Sequence, residues 1–359
     1  MNFWQKLRNP SLRSGPGNPF FVVAPMADVT DAAFRRLISK YGKPDVMWTE
    51  FVSANGLMSA GRKILERDLA YSEIERPIVA QLFSSNPEKM EGAARLCAEL
   101  GFDGIDINMG CPDKTIEKQG AGAGMIKTPE IAVQIIAAAK RGAGTVPVSV
   151  KTRVGYNTVE IKDWISLLLK QDIAALTVHA RTRKELSKVP AHWEYLQEVV
   201  ALRDELAPQT VIIGNGDVTS LNDGKMKALQ SGVDGVMVGR ALFGNPWFFD
   251  QSRAMTATIP KKSALQKLPF VGTFFQTRRT AAQSAVKPIT IEERLHVLVE
   301  HTNLFEELLG DIKSFSIMKK HYKAYCTGFT GAKELRLQLM EEAKNAQDVE
   351  RIITDFLLQ

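Results

Sequence analysis

Eight short apolar runs, each followed by a helix-length segment, most constrain what this chain folds into. The runs cover residues 20–24, 46–49, 78–82, 104–107, 147–150, 174–178, 211–213 and 235–238. Between them stand stretches with helical periodicity, among them 31–41, 87–100, 129–139, 159–170 and 195–206. Strand alternating with helix predicts parallel βα units, and near-continuously apolar strands predict a sheet covered on both faces. Eight such units ending near Asp250 have the count and size of a (β/α)8 TIM barrel. An open doubly wound sheet competes, but no Gly-x-Gly-x-x-Gly follows the first run. The expected class is α/β, a (β/α)8 TIM barrel over residues 1–250.

After Asp250 the rhythm stops. Residues 251–290 combine Pro, Thr, Gln and basic residues around an apolar island at 268–275, and read as a linker or insertion. Thr290-Ile-Glu-Glu293 is a capping box, and Leu295, Leu298, Phe305, Leu308 and Leu309 follow with helical spacing. Over 349–358, Val349, Ile352, Ile353, Phe356 and Leu357 share one face. Residues 291–359 are therefore expected to form a small all-helical domain. Its middle, 313–325, is two-sided: Phe315, Met318, Tyr322 and Tyr325 make an apolar stripe, and Ser316, Lys319, Lys320 and Lys323 make a polar face.

Charge distribution narrows the partners. The formal net charge is +6, yet between Gln251 and Ile291 stand seven Lys or Arg (Arg253, Lys261, Lys262, Lys267, Arg278, Arg279, Lys287) and no acid. Such a stretch is either a solvated linker or a contact for an anionic partner such as a nucleic acid. Residues 1–18, with Lys6, Arg8 and Arg13 but Pro10 and Pro16 as breakers, read as a lead-in to the first strand, not a targeting peptide. A hydrophobic fraction of 45% without any run of about 18 apolar residues predicts a globular protein and no membrane span. Three scattered cysteines, without CxxC or a His-rich pairing, argue against a disulfide framework or a zinc site. His179 and His192 lack a matching carboxylate set, so no metal is expected. A reducing, cytoplasmic setting and a monomer fit this pattern.

In a barrel, chemistry belongs where strands end. The residues there are Pro25-Met26-Ala27, Thr49-Glu50, Gln81, Asn108 with Cys111, Lys151 with Arg153, His179 with Arg181, Gly214-Asn-Gly-Asp217 and Gly239-Arg240. Cys111 sits between Gly110 and Pro112. With an ordinary pKa near ~8.5, such a thiol is mostly protonated at neutral pH and can donate a proton as well as attack. A half-buried loop cysteine without chemistry is the alternative. The glycine-rich turns after the seventh and eighth strands suit a phosphate-bearing cofactor, with Arg240 as a charged clamp. No Gly-x-Ser-x-Gly elbow is present, which disfavours a hydrolase.

Ala24-Pro-Met26, Gln81-Leu-Phe, Asp106-Ile-Asn-Met-Gly-Cys-Pro112, Lys151-Thr-Arg153, Val178-His-Ala-Arg-Thr-Arg183, Gly214-Asn-Gly-Asp217 and Gly239-Arg-Ala-Leu-Phe-Gly-Asn-Pro-Trp247 resemble, in order, the tRNA-dihydrouridine synthase family. Met318-Lys-Lys-His-Tyr322 and Gly331-Ala-Lys-Glu-Leu-Arg336 extend the resemblance into the helical domain. The resemblance implies an FMN enzyme that reduces the C5–C6 bond of a uridine in tRNA and is recharged by NADPH. It implies Cys111 as proton donor and Asn108 as the group orienting the uracil. Gln81, Lys151 and His179 would hold the flavin ring, with Pro25, Met26 and Ala27 beside it and Asn215, Gly216, Asp217, Gly239 and Arg240 about its phosphate. Arg153, Arg181 and Arg183 would contact RNA, together with Lys319, Lys320 and Lys323. A base inside folded tRNA must be extruded to reach such a pocket, which accounts for a basic surface around a narrow mouth.

The chain departs from the family pattern at Ala180, at Ala27-Asp28, in the Lys of Met318-Lys-Lys-His321 where Arg is usual, and in the length of the basic 251–291 segment, none of which touches the thiol. Two rivals remain at this stage: an FMN barrel reducing a free pyrimidine or small enone, and a non-catalytic RNA-binding protein on the same scaffold.

Overall fold

The computed structural model describes residues 2–9, 18–255 and 287–358. Each of the eight expected runs is a strand: β1 (Phe20–Val23), β2 (Met47–Ser53), β3 (Ile78–Phe83), β4 (Gly104–Met109), β5 (Val148–Arg153), β6 (Ala175–His179), β7 (Val211–Asn215) and β8 (Gly235–Val238). Neighbours pair in parallel from β2 through to β8, and β1 pairs with β8 from Phe20↔Gly235 to Val23↔Val238. The ring closes between β1 and the start of β2, through the bridge Val22↔Val46 and the hydrogen bond from Val23 N to Val46 O (3.3 Å). The TIM-barrel expectation holds.

Several strands run past their apolar stretch. β4, β5 and β7 continue to Met109, Arg153 and Asn215, because ladder pairing persists where the side chains turn polar. Asn108, Lys151, Arg153 and Asn215 thus stand on rigid strands, whereas Cys111 and Asp217 lie in the loops just beyond them. The surrounding helices follow their sequence signals. Asp31 caps Ala32–Tyr41 by accepting from Phe34 N (3.0 Å), and Asn86 caps Pro87–Glu99 in the same way. The expected helix at 159–170 is instead a π-helical segment, Ile161–Ile165, running into a short α-helix, Ser166–Leu169. The wider turn still buries Trp164, whose indole N–H donates to Thr152 Oγ1 (2.9 Å).

The N-terminus is more than a lead-in. Asn2 and Gln5 form a capping box around the helix Phe3–Arg8, and Trp4 is wholly buried with Phe20 and Trp48, its ring centroid 6.1 and 5.5 Å from theirs. The helix plugs the barrel at the end where strands begin.

The C-terminal part is helical as expected: Ile291–Leu309 behind its Thr290 capping box, then Lys319–Tyr325, Ala332–Glu342 and Ala346–Leu357. The two-sided 313–325 segment is broken into a 3-10 turn, Phe315–Met318, and the helix Lys319–Tyr325. This bundle packs on Ala32–Tyr41. Phe34 stacks on His301 (5.2 Å between centroids), His301 meets His321 edge-on (4.5 Å), and Tyr41 donates to Glu300 (2.6 Å). Lys313 reaches the barrel rim, where it pairs with Glu50 (2.7 Å) and Asp68 (3.0 Å). Of the basic 251–290 stretch, Lys261, Lys262, Lys267, Arg278 and Arg279 lie outside the described residues. Its two ends meet as a short parallel pair, β9 (Arg253–Met255) and β10 (Lys287–Ile289). Among the described residues no helix is long and apolar enough to cross a membrane.

Candidate active site

Ladder register brings the polar strand ends together. Asn108 pairs with Lys151, Arg153 with His179, and His179 with Asn215, so four adjacent strands carry polar residues to one rim. They border a cavity of about 430 Å³ whose lining includes Pro25, Met26, Pro112, Lys151, Arg153, His179, Arg181, Asn215, Gly216, Asp217, Gly239 and Arg240. A recess of about 480 Å³ opens at the opposite, strand-start end between Thr145, Val148, Ala174 and Thr210. There the Lys140 ammonium is taken up by Asp172 (2.9 Å) and by neighbouring carbonyls. Polar groups converge at the strand ends, an unpartnered lysine, Lys151, among them, so the smaller cavity is the candidate site.

Lys151 has no hydrogen-bond or ion-pair partner among the described residues, although it lines the cavity. Burial, reinforced by the charge of Arg153, pulls its pKa down to about 8, against the opposing effects of Asp106 and Cys111. His179 is driven well below its ordinary value by burial and by the surrounding cations Arg153, Lys151, Arg181 and Arg240. It is therefore neutral near pH 7. Arg181 Nη1 donates to His179 Nε2 (3.1 Å), which leaves the ring proton on Nδ1.

The thiol loop is held from several sides. Asn108 Oδ1 accepts from Gly110 N (3.1 Å) and Cys111 N (2.9 Å). Cys111 O accepts from Ala123 N (2.9 Å), and Gly122, at φ +60°, lies so close that a Cβ there would stand 2.7 Å from that oxygen. Only glycine fits. Cys111 itself is partly exposed beside Pro112, and burial raises its thiol pKa, with Asp113 N–H and the cations Lys151 and Arg153 working the other way. A neutral thiol results.

Several expected roles look different in the structure. Gln81 is fully buried and is not part of the cavity wall; its amide is engaged by Asp106 (2.7 Å) and Asn108 (3.2 Å). Asn108 is likewise spent on Gln81 and the thiol loop. Arg153 donates to the carbonyls of Gly110 (2.8 Å), Thr182 (3.1 Å) and Leu186 (3.3 Å), so it braces the loops around Cys111. Arg181 is buried between Val189 O (2.7 Å), His179 and Asp217. Arg183 pairs in bidentate fashion with Glu117, just beyond the thiol loop. None of these three guanidiniums stands free for RNA. Ala27 is exposed and outside the cavity lining.

Asp217, at φ +48°, accepts from Ala191 N (2.9 Å) and joins Arg181 to Arg240. Those three donors outweigh partial burial and hold its carboxyl below the usual range. An acceptor-only carboxylate does not bind phosphate; Asp217 instead fixes the positions of Arg181 and Arg240. Arg240 remains largely exposed at the rim. Gly216, at φ +131°, would carry a Cβ only 2.6 Å from that of Ala191. A backbone that approaches closely here, an exposed arginine and the unpartnered Lys151 together suit an anionic cofactor.

On the helical domain, Lys320 pairs with Asp28 (2.7 Å), Lys319 donates to Met340 O (2.7 Å), and Lys323 is exposed. The lysine face is thus partly committed. Sequence reasoning passed over Asp106, Glu117 and the His301–His321 contact; only the first had a signal, its place two residues before Asn108 on the same inward face of β4. Among the described residues no cluster of His, Cys, Asp or Glu is arranged to hold a metal ion.

A family model described as dihydrouridine synthase matches residues 22–358. The chain belongs to the dihydrouridine synthase family. It is thereby an enzyme, a flavin-dependent oxidoreductase. The "Probable tRNA-dihydrouridine synthase 2" of Bacillus subtilis (strain 168) is 39% identical over 358 residues, 99% of this chain and 96% of that one. The "Probable tRNA-dihydrouridine synthase" of Staphylococcus aureus (strain MRSA252) is 38% identical over 349 residues, 96% of this chain and 93% of that one. Among solved structures, morphinone reductase superposes with a TM-score of 0.49 at 12% identity, covering 67% of this chain and 88% of that chain, too loosely to bear on the reaction.

Proposed function

We propose that this dihydrouridine synthase reduces the C5–C6 bond of uridines in tRNA, with FMN at the barrel mouth, NADPH as reductant and Cys111 as proton donor. The observation that carries the reading is a neutral, partly exposed thiol on a braced loop beside a cavity containing an unpartnered lysine and a neutral imidazole. When bound, the flavin supplies a hydride to C6 of the uracil. Cys111 supplies the proton to C5, so the bond gains one hydride and one proton and charge balances. The raised thiol pKa favours this role over nucleophilic attack, since the thiol keeps its proton at neutral pH. Lys151 contributes positive charge beside the ring, which stabilises its reduced form. Asn215 donates its side-chain amide to Met237 O (2.9 Å), fixing the Asn215–Gly216 turn that would face the phosphate with Gly239 and Arg240.

On this reading residues 1–250 are the catalytic barrel, 251–290 a basic linker and 291–359 a tRNA-binding helical domain. The test is to map dihydrouridine in unmodified tRNA treated with the purified protein, FMN and NADPH. No product on tRNA, with reduction of free uracil instead, would overturn the substrate assignment.

Two further outcomes are expected. The purified protein is yellow with non-covalently bound FMN, and Lys151→Ala retains flavin more weakly or reduces it more slowly. Because burial puts the Lys151 pKa near about 8, its cation is present below that pH and lost above it. Flavin affinity should therefore fall across pH 8 in the wild type and lose that step in Lys151→Ala, as read by fluorescence titration.

The second outcome concerns RNA. Lys323 has no hydrogen-bond or ion-pair partner among the described residues, whereas Lys319 and Lys320 already have partners within the chain. If the face grips phosphates, each neutralised contact lowers the log–log salt slope of tRNA binding by roughly one unit. Lys323→Gln should flatten it most, and an unchanged slope in Lys319→Gln/Lys320→Gln/Lys323→Gln would mean that tRNA is held elsewhere.

A further inference from the structure

Beneath the cavity, polar side chains of three adjacent strands form an unbroken line of hydrogen bonds. Asp106 on β4 is fully buried; its Oδ1 accepts from Ser149 Oγ (2.6 Å) and its Oδ2 from Gln81 Nε2 (2.7 Å). Gln81 Oε1 accepts from Asn108 Nδ2 (3.2 Å), and Asn108 Oδ1 accepts from the backbone N–H groups of Gly110 and Cys111. Chemistry at the two ends fixes the direction of the whole line. A carboxylate only accepts and a backbone N–H only donates, so each amide between them has one permitted orientation. Turn Gln81 over, and its oxygen faces a carboxylate while its NH2 faces another NH2. Turn Asn108 over as well, and its NH2 faces two N–H groups.

We infer that Asp106 is a positioning residue for the thiol: through Gln81 and Asn108 it sets the amide that holds the backbone of Gly110 and Cys111. The inference rests on the reading of Cys111 as proton donor, but its mechanical part does not. Asp106 touches neither the cavity nor the loop, and it reaches the loop through two side chains that ordinary catalytic inspection would assign to ligand. Gln81 N also donates to Thr49 Oγ1 (3.1 Å), so the backbone carrying the first relay residue is itself anchored.

Asp106→Leu keeps the approximate size but removes the acceptor that orients Gln81. Asp106→Asn can restore it, by turning its oxygen to Gln81 and its NH2 to Ser149 Oγ, whose hydrogen then has Ile105 O at 3.4 Å. Gln81→Met cuts the line one step further on without touching Asp106. The probe is iodoacetamide on the purified full-length protein without tRNA, with modified peptides identified by mass. Cys97 and Cys326 are buried, so they stay unmodified unless the whole fold opens.

The expected result is Cys111 alkylation about tenfold faster in Asp106→Leu and Gln81→Met, with its pH midpoint lowered toward the ordinary thiol value as burial is relieved. Product formation should fall by about tenfold or more in both, and Asp106→Asn should stay within about threefold of wild type in both assays. The double variant Asp106→Leu/Gln81→Met should be no worse than either single one, since both cut the same line. Unchanged Cys111 alkylation in both single variants would overturn the inference. So would a loss of activity without any change at the thiol. Should Cys111→Ala prove fully active, the proton-donor reading fails, while the alkylation results still decide whether Asp106 positions the loop.

Discussion

Cys111→Ala is expected to retain flavin and tRNA binding but to lose most dihydrouridine formation. General acids contribute about 10²–10⁴-fold, and the loss should fall in that range, the residue being slow protonation from water. Reduction of the flavin by NADPH should be nearly unchanged, because in the proposed reaction the thiol serves only the half-reaction on uridine. The pH dependence carries a sign. The acid must hold its proton, and burial raises the Cys111 pKa, so the wild-type rate should decline only above the ordinary thiol range, on the alkaline side. The variant should lack that decline. Cys97 and Cys326 are buried, with pKa values pushed up to about 12 by desolvation, and their replacement by Ala should not cause a comparable catalytic loss. Stopped-flow measurement of each half-reaction separates these outcomes, and wild-type product rates in Cys111→Ala would refute the assignment.

The barrel was legible because its evidence is repeated eight times: each apolar run found a strand, and most strand ends carry a polar residue or a backbone-shaping Gly or Pro. Individual roles were less legible. Arg153 and Gln81 look from the sequence like groups aimed at a ligand, being polar residues on barrel strands. The structure buries both and satisfies them on carbonyls, a carboxylate and an amide. Nothing in residue type says whether a strand-end donor faces the cavity or its own scaffold, since that depends on pairs distant in sequence, such as Gln81 with Asp106 or Arg183 with Glu117. Trp4 was missed for a different reason. A six-residue helix offers too little periodicity to be read, although the Asn2/Gln5 capping box was present in the sequence. The lysine face was legible as a charge pattern, but the pairing of Lys320 with Asp28 was not, because that partner belongs to the loop after β1.

That same loop leads to the second large effect. Lys313→Met should destabilise the protein by about 3–5 kcal/mol, the cost of leaving a buried charge uncompensated. Lys313 enters from the helical domain and meets Glu50, at 2.7 Å, and Asp68, at 3.0 Å, with side-chain exposures of 13%, 7% and 21%. Glu50 also accepts from the backbone N–H of Asp28, so the pair anchors the loop that carries Pro25 and Met26 to the cavity. Burial alone would lower the lysine pKa; the two carboxylates outweigh it and hold the value above the ordinary one. A cation raised in this way contributes its stability throughout the neutral range. The contribution starts to fade only above the unfolded lysine value near ~10.4. The difference between wild type and Lys313→Met should therefore persist through neutral pH and shrink at higher pH, with an added step near neutrality because Lys313 also lowers the pKa of Asp31, which burial and Glu50 raise to about 7. Lys313→Met/Glu50→Gln should recover more than half of the loss, because the more deeply buried of the two orphaned carboxylates has gone, leaving only the more exposed Asp68. Urea unfolding of wild type, Lys313→Met, Glu50→Gln and the double variant measures both statements. Additive single and double variants would mean that Glu50 and Lys313 are screened independently by water, and that the helical domain is held to the rim by its packing on Phe34 and Tyr41 instead.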